Sequence, residues 1–173
     1  MKKKIFLFLL TILLVFEITG CSCSRKVEPE QKLADDEVIV NDTLYKLDQD
    51  ESGYGITYKI ATNFRKWDSG NALNYFGRIG DTNESNFVIR VFYYKNKTID
   101  YAIKDTTENK FDSKEEVEIN GQKYTKVHFE NYNGANTYLF YYKHNKDVYA
   151  YCFTANEEIE RLENIFLSQV IYK

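Results

Sequence analysis

The stretch that decides the fold is residues 137–154, which read TYLFYYKHNKDVYAYCFT. Two runs rich in aromatic and β-branched residues flank the polar residues 144–147, and this arrangement predicts a β-hairpin. If Lys143 faces Val148, one face of the hairpin carries three aromatic cross-strand pairs: Tyr142 with Tyr149, Phe140 with Tyr151, and Tyr138 with Phe153. We interpret this face as core, with an apolar ligand groove as the alternative.

The opposite face of the hairpin carries smaller residues, including Ala150 and Cys152, which would let a helix approach closely. A C-terminal helix is predicted to cover it, because apolar residues recur at helical spacing near the end of the chain: Ile159, Leu162, Phe166 and Val170. Thr154 or Asn156 is the expected helix cap.

Upstream, Asn120-Gly121 lies between two strand-like runs and predicts a type I′ turn. The run 87–94 is apolar on both faces and is expected in the middle of a sheet. Thr98 is the expected N-cap of a helix through Thr107.

Nearer the N-terminus, 38–40 and 43–47 predict a hairpin, and a strand follows Gly53. The segment Asp48-x-Asp50-x-Ser52-Gly53 resembles half of a calcium loop, but Lys59 stands where a bidentate Glu is needed, so a surface loop is expected. Residues 62–70 read as an irregular loop, and 73–79 as a short strand.

From Gly53 to Lys173 the chain resembles a PsbP-like domain, the fold of an extrinsic photosystem protein and of many small bacterial lipoproteins. The resemblance rests on these features: Gly55-Ile56-Thr57-Tyr58, Trp67, Asn120-Gly121-x-x-Tyr124, the aromatic run 138–153 and the C-terminal helix from Asn156. It implies an α+β fold, an antiparallel sheet with helices packed on both faces as an α/β/α sandwich. It also implies a non-catalytic accessory or binding role.

The N-terminus reads as an export signal. Lys2, Lys3 and Lys4 precede the apolar run 5–16, which has the length of a signal-peptide core rather than of a membrane span. Ile18-Thr19-Gly20-Cys21 resembles a bacterial lipobox, which implies cleavage between Gly20 and Cys21 and a lipid on Cys21, such as a palmitate-type acyl chain. We therefore expect a lipid-anchored protein on the extracytoplasmic face of the cell membrane.

This organisation gives three segments: a signal peptide at 1–20, a lipidated N-terminus and tether at 21–36, and a single domain at 37–173. The tether prediction rests on the polar composition of 22–36, which contains the sole proline. Without residues 1–20 the chain has 20 Lys and Arg against 25 Asp and Glu, a net charge of −5. That charge argues against nucleic acid as a partner and leaves membrane attachment to the lipid.

No catalytic, cofactor or metal motif is present in the sequence, so no cofactor and no metal are expected. The preferred function is a non-catalytic envelope module that binds an envelope protein or a small ligand. The candidate binding residues are Phe64, Arg65, Lys66 and Trp67, because aromatic and basic side chains together supply an anchor and a charge. The alternative is a small hydrolase or thiol enzyme that uses Cys152 or His128; for Cys152 itself we favour the role of a buried small residue.

Overall fold

A computed structural model of the chain describes residues 32–40, 43–62, 64–76, 87–130, 135–155 and 159–173. The predictions for the signal peptide, for Cys21 and for most of the tether lie outside the described residues. Leu33–Lys173 forms one compact unit.

The described residues form eleven strands and two helices. The strands are β1 (Glu37–Val40), β2 (Thr43–Gly53), β3 (Ile56–Ala61), β4 (Arg65–Ser69), β5 (Ala72–Phe76), β6 (Phe87–Tyr94), β7 (Ser113–Ile119), β8 (Gln122–Glu130), β9 (Asn136–His144), β10 (Asp147–Ala155) and β11 (Ile171–Tyr172). The helices are α1 (Ile99–Thr107) and α2 (Glu160–Ser168), of nine residues each. Neither of these two helices has the length and apolar character needed to cross a bilayer.

The strands form two antiparallel sheets. The smaller has the order β1-β2-β3-β11, and the larger has the order β4-β5-β6-β10-β9-β8-β7. The predicted antiparallel sheet is therefore confirmed, and β6 lies inside it between β5 and β10, as its two apolar faces predicted. The chain is mostly antiparallel sheet with two helices; the finer α/β/α sandwich stays a prediction.

Local turn chemistry sets the hairpins. Asn120 and Gly121 both have positive φ, 50° and 76°, which is the backbone of the predicted type I′ turn. The hairpin of β9 and β10 has the predicted register, with Lys143 opposite Val148 and the three aromatic pairs in place. These turns are encoded by residues adjacent in sequence, so the signals for both hairpins are local.

Two hydrophobic cores lie on opposite faces of the larger sheet, and they correct one prediction. In α2, Phe166 packs against Tyr151 and Phe153, on the aromatic face of the hairpin. The small-residue face of Ala150 and Cys152 packs instead with α1. The prediction that the C-terminal helix packs on the small-residue face is therefore wrong, since Phe166 of α2 contacts the aromatic face and residues of α1 cluster with Ala150 and Cys152.

The ends of α2 also differ from the prediction. The helix begins at Glu160 with Ile159 at the N-cap, without a side-chain hydrogen bond at the cap. Thr154 lies within β10 and its hydroxyl pairs with that of Thr137, so it cannot cap the helix; Asn156 lies outside the described residues. After α2 the chain forms β11, which pairs with β3 and was not predicted.

Two segments predicted as loops are strands. Residues 48–53 belong to β2, and residues 49–53 pair with β3 after a register shift at Asp48, so the calcium-like spacing lies on an extended strand rather than in a surface loop. Within 62–70, the residues of β4 pair with β5, so this segment is an edge strand of the larger sheet rather than an irregular loop.

Candidate partner-binding surface

The strand β4 is the outermost strand of the larger sheet, and all five of its residues are exposed. Trp67 is 60% exposed, a large fraction for a residue whose ring has a large apolar surface. Side chains alternate along a strand, so Arg65, Trp67 and Ser69 share one face, and Lys66 and Asp68 share the other. We call these five residues the β4 edge.

Contacts with β5 of the same sheet and with β2 of the smaller sheet hold the β4 edge in place. The Asn74 side-chain amide on β5 donates to the Trp67 carbonyl oxygen at 3.0 Å and to Ser69 Oγ at 2.9 Å. On the other face, Lys66 Nζ donates to Glu51 Oε2 at 2.9 Å, and this hydrogen bond raises the pKa of the Lys66 ammonium. Lys66 therefore stays charged at neutral pH, and Trp67 is presented from a fixed backbone.

The four predicted binding residues do not form one patch. The Phe64 ring lies 5.1 Å from that of Tyr45 and packs against the larger core. Arg65 and Trp67 lie on one face of β4 and Lys66 on the other, next to the smaller sheet. Asp68 and Ser69 complete the exposed edge; sequence analysis missed them because it read the segment as a loop with no fixed alternation of faces.

Cys152 and His128, the two residues of the enzyme alternative, lie on opposite faces of the larger sheet. Cys152 is opposite Leu139, and Leu139 is opposite Val127, so these three lie on the face covered by α1. His128 follows Val127 and points to the other face, where its ring stacks on Tyr138 and its Nε2 lies 3.0 Å from the Asn136 side-chain oxygen. A Cys152–His128 dyad would have to reach through the sheet.

Cys152 has the environment of a structural thiol. It is 3% exposed, and its burial raises the pKa of the thiol, an effect that the nearby Arg90 charge opposes. A neutral, enclosed thiol is a poor nucleophile.

We predict that iodoacetamide leaves Cys152 unmodified in the folded protein and alkylates it after unfolding in urea. Mass spectrometry of the peptide that contains Cys152 measures this directly. Alkylation of the folded protein at the unfolded rate would contradict its enclosed position.

The aromatic hairpin face is core, which answers the alternative of a ligand groove. Phe140, Tyr151 and Phe153 are each at most 1% exposed. A shallow, open depression of about 440 Å³ does lie between α2 and the turn after β7, lined by Glu118, Ile119, Asn120, Asn164, Ile165 and Ser168. Such an open surface does not enclose a ligand. Among the described residues no group of three or more His, Cys, Asp or Glu is placed to hold a metal ion.

A buried ion pair was also missed. Glu163 of α2 is 2% exposed, and its Oε2 accepts from Lys126 Nζ of β8 at 3.1 Å. Burial raises the pKa of Glu163, and Lys126 partly opposes that rise. The sequence places Glu163 on the charged side of the helix, and only the fold shows that this side meets β8.

With the fold described, comparison with solved structures shows what it resembles. The solution structure of the cyanobacterial PsbP protein CyanoP from Synechocystis sp. PCC 6803 matches with a TM-score of 0.52 at 11% identity, over 72% of this chain and 92% of that one. The fold is PsbP-like. A crystal structure from Bacteroides thetaiotaomicron matches with a TM-score of 0.50 at 13% identity over 69% of this chain, and the matched region spans 45% of that protein.

The resemblance is one of fold alone, since identities this low carry no functional residue across. No protein-family model matches the sequence, and no curated protein matches it either. The PsbP-like fold that the motifs of 53–173 resembled is confirmed at the level of an antiparallel sheet protein with two helices, and it leaves the function of this chain to its own residues.

Proposed function

We propose that this chain is a lipid-anchored protein of the extracytoplasmic face of the cell membrane, and that its PsbP-like domain is a non-catalytic binding module of the envelope. We also propose that the architecture of this domain is an α/β/α sandwich, with helices packed on both faces of the sheet. The observation that carries the binding role is the exposed indole of Trp67 on the β4 edge, beside Arg65.

An exposed indole leaves a large apolar surface in contact with water, which is unfavourable. Trp offers a large apolar surface with one polar tip, and such residues are enriched where a partner covers them. Here the Asn74 side chain holds the backbone of Trp67 through the carbonyl oxygen, while the residue remains 60% exposed. The anchor rests on a separate argument, the export signal and the lipobox that ends at Cys21.

For the alternative function, the thiol or hydrolase enzyme, no contact of Cys152 or His128 favours catalysis. Cys152 is enclosed beneath α1 and His128 lies on the opposite face of the sheet. We therefore propose the binding module alone.

The anchor is tested by Cys21→Ala in a bacterial host supplied with radiolabelled palmitate. We expect labelling of the wild-type chain and its complete loss in the variant, because the lipid is attached through the cysteine sulfur. Cys23→Ala is the matched control and should keep both label and membrane location. Full labelling of Cys21→Ala would disprove the anchor.

The binding role is tested by Trp67→Ala in a pull-down from a solubilised envelope extract. We expect the variant to lose a partner that the wild-type chain retains, since truncating a central aromatic anchor costs about 2 kcal/mol or more, roughly a thirtyfold loss of affinity. Tyr101→Ala is the matched control, because Tyr101 is also an exposed aromatic, 45% exposed, but lies on α1. Equal recovery of every partner by the wild-type chain and Trp67→Ala would contradict the proposed surface.

A further inference from the structure

We infer that the partner of the β4 edge is a second copy of this chain, whose own β4 pairs with it antiparallel about a two-fold axis at Trp67. The inference rests on the proposed binding function, because it names the partner of the same surface. Three features of β4 support it: an outer edge that no strand of the described residues pairs with, its self-complementary charges and its exposed indole.

The open backbone groups follow from the turn that joins β4 to β5. Ser69 is opposite Ala72, so the turn has two central residues, of which Gly70 has a φ of 58°. A two-residue turn closes on a hydrogen-bonded pair, and the pairs alternate along the strands from there. The backbone groups of Ser69, Trp67 and Arg65 therefore point towards β5. Those of Lys66 and Asp68 point away from the sheet, at its outer edge.

The charges then select one register. An added antiparallel strand forms hydrogen bonds with the outward backbone groups of β4, and it uses its own outward backbone groups to do so. If the added strand is a second β4, Lys66 and Asp68 of one copy must therefore lie opposite Lys66 or Asp68 of the other. Placing Lys66 opposite itself, or Asp68 opposite itself, opposes like charges, which is unfavourable. In the remaining register Lys66 of each copy, whose ammonium also contacts Glu51 of its own chain at 2.9 Å, faces Asp68 of the other, so opposite charges meet twice.

This register places the two-fold axis at Trp67. The two indoles then face each other as a non-hydrogen-bonded pair, whose Cα atoms lie about 4.5 Å apart, the closest approach that strand pairing allows. Arg65 of each copy becomes the diagonal neighbour of Trp67 of the other, within reach of a cation–π contact. One symmetric contact thus uses both outward backbone positions, pairs both charges and covers Trp67, which is 60% exposed.

The expected dimer is weak in dilute solution. A pair of five-residue strands is smaller than the roughly 1,200–2,000 Å² of a standard stable interface. Confinement on a membrane raises the local concentration of the copies without any new contact. A reversible dimer of this kind fits an anchored protein, because anchored copies meet far more often than free ones.

Cysteine cross-linking tests the register. The experiment uses the full chain in detergent, with Cys21→Ser and Cys23→Ser, so that the buried Cys152 is the native thiol that remains. Trp67→Cys in this background should form a disulfide-linked dimer under mild oxidation, because the two Cα atoms lie within bonding range. Ser69→Cys is the matched control on the same face: its copies would lie about 14 Å apart along the strands, beyond the roughly 7 Å limit.

We expect Trp67→Cys to cross-link about tenfold faster than Ser69→Cys or Arg65→Cys alone. A mixture of Arg65→Cys and Ser69→Cys should cross-link efficiently, since each of these residues faces the other in the inferred register. The mixture retains Trp67 in both copies and therefore decides the register: a mixture that cross-links no faster than its components would overturn the inference.

A measurement without new thiols checks the same point. Asp68→Lys brings lysines face to face, so analytical ultracentrifugation should show at least a tenfold weaker dimer than for the wild-type chain. The control Glu115→Lys makes the same charge change on β7, at the far edge of the sheet, and should leave the dimer intact. A dimer unaffected by Asp68→Lys would overturn the inference.

The two proposals can fail separately. Self-association is measured with purified chain alone, whereas the binding function is measured against an envelope extract. A monomeric chain whose Trp67→Ala variant loses an envelope partner would remove the inference and retain the proposed function.

Discussion

Phe166→Ala is expected to lower the free energy of unfolding by about 3–5 kcal/mol, the usual cost of removing a fully buried phenyl ring. Phe166 is 0% exposed. Its ring lies 5.4 Å from that of Tyr58 and 5.5 Å from that of Phe153, so one side chain joins α2 to both sheets. Because Phe166 contacts both sheets, closing the cavity left by Ala would require movement of α2 relative to both of them. We therefore expect a cost towards the upper end of the range.

Urea titration followed by far-ultraviolet circular dichroism measures this cost. Trp67 fluorescence is a poor probe of the transition, because its ring is already largely solvated in the folded chain. Phe111→Ala is the matched control: it removes the same ring from a position that is 37% exposed, and should cost less than about 1 kcal/mol. Similar urea midpoints for the two variants would show that Phe166 does not stabilise the packing of α2 against the two sheets.

The parts of the fold that sequence predicted are those fixed by neighbouring residues. The Asn120-Gly121 turn, the helix that begins after Thr98 and the register of Lys143 with Val148 each depend on a few adjacent positions, and all are confirmed. Turn geometry and capping hydrogen bonds are local, so their signals survive in a single sequence.

The parts that sequence missed depend on distant residues. The two residues of β11 become a strand only by pairing with β3, more than 100 positions earlier. The assignment of α2 to the wrong face has a similar cause. Both faces of the hairpin are apolar, and only the long-range placement of α1 over Ala150 and Cys152 decides which face remains for α2.

In the candidate site too, local features were predicted from the sequence and features that depend on strand pairing were missed. The residue types at 64–67 were sufficient to single out Trp67, but five exposed residues with one aromatic ring carry no alternating apolar pattern, so β4 was not recognised as a strand. Its place at the sheet edge, and with it the roles of Asp68 and Ser69, follows from pairing with β5 alone.

Lys126→Met is expected to lower the free energy of unfolding by about 3–5 kcal/mol at neutral pH, because it leaves the buried Glu163 carboxylate without its cation. The Lys126 ammonium lies 3.1 Å from Glu163 Oε2 and 4.8 Å and 4.9 Å from the ring centres of Tyr138 and Phe140. Met keeps most of the side-chain volume, so the loss reports the charge rather than a cavity.

The cost should depend on pH with a definite sign. Burial raises the folded-state pKa of Glu163 above the ordinary value of 4.5, and removing Lys126 takes away the main effect that opposes this rise. Between 4.5 and the raised value the folded state holds a proton that the unfolded state releases, so stability falls as pH increases through this window. The destabilisation by Lys126→Met is therefore largest above the window and shrinks as the pH approaches 4.5.

The groups that face Glu163 are Lys126 and His128 of β8 and Glu160 of its own helix. A double variant tests whether the Glu163 carboxylate itself causes the loss of stability in Lys126→Met. Adding Glu163→Leu to Lys126→Met removes both buried charges and should restore the free energy of unfolding to within about 1 kcal/mol of the wild-type value, since an apolar pair can replace a buried ion pair at little cost. The recovery should be present at pH 7 and nearly absent at pH 4.5, where the carboxyl is already neutral. Additive losses from the two substitutions, or a Lys126→Met cost that does not change with pH, would show that Glu163 is not held as a charged group between α2 and β8.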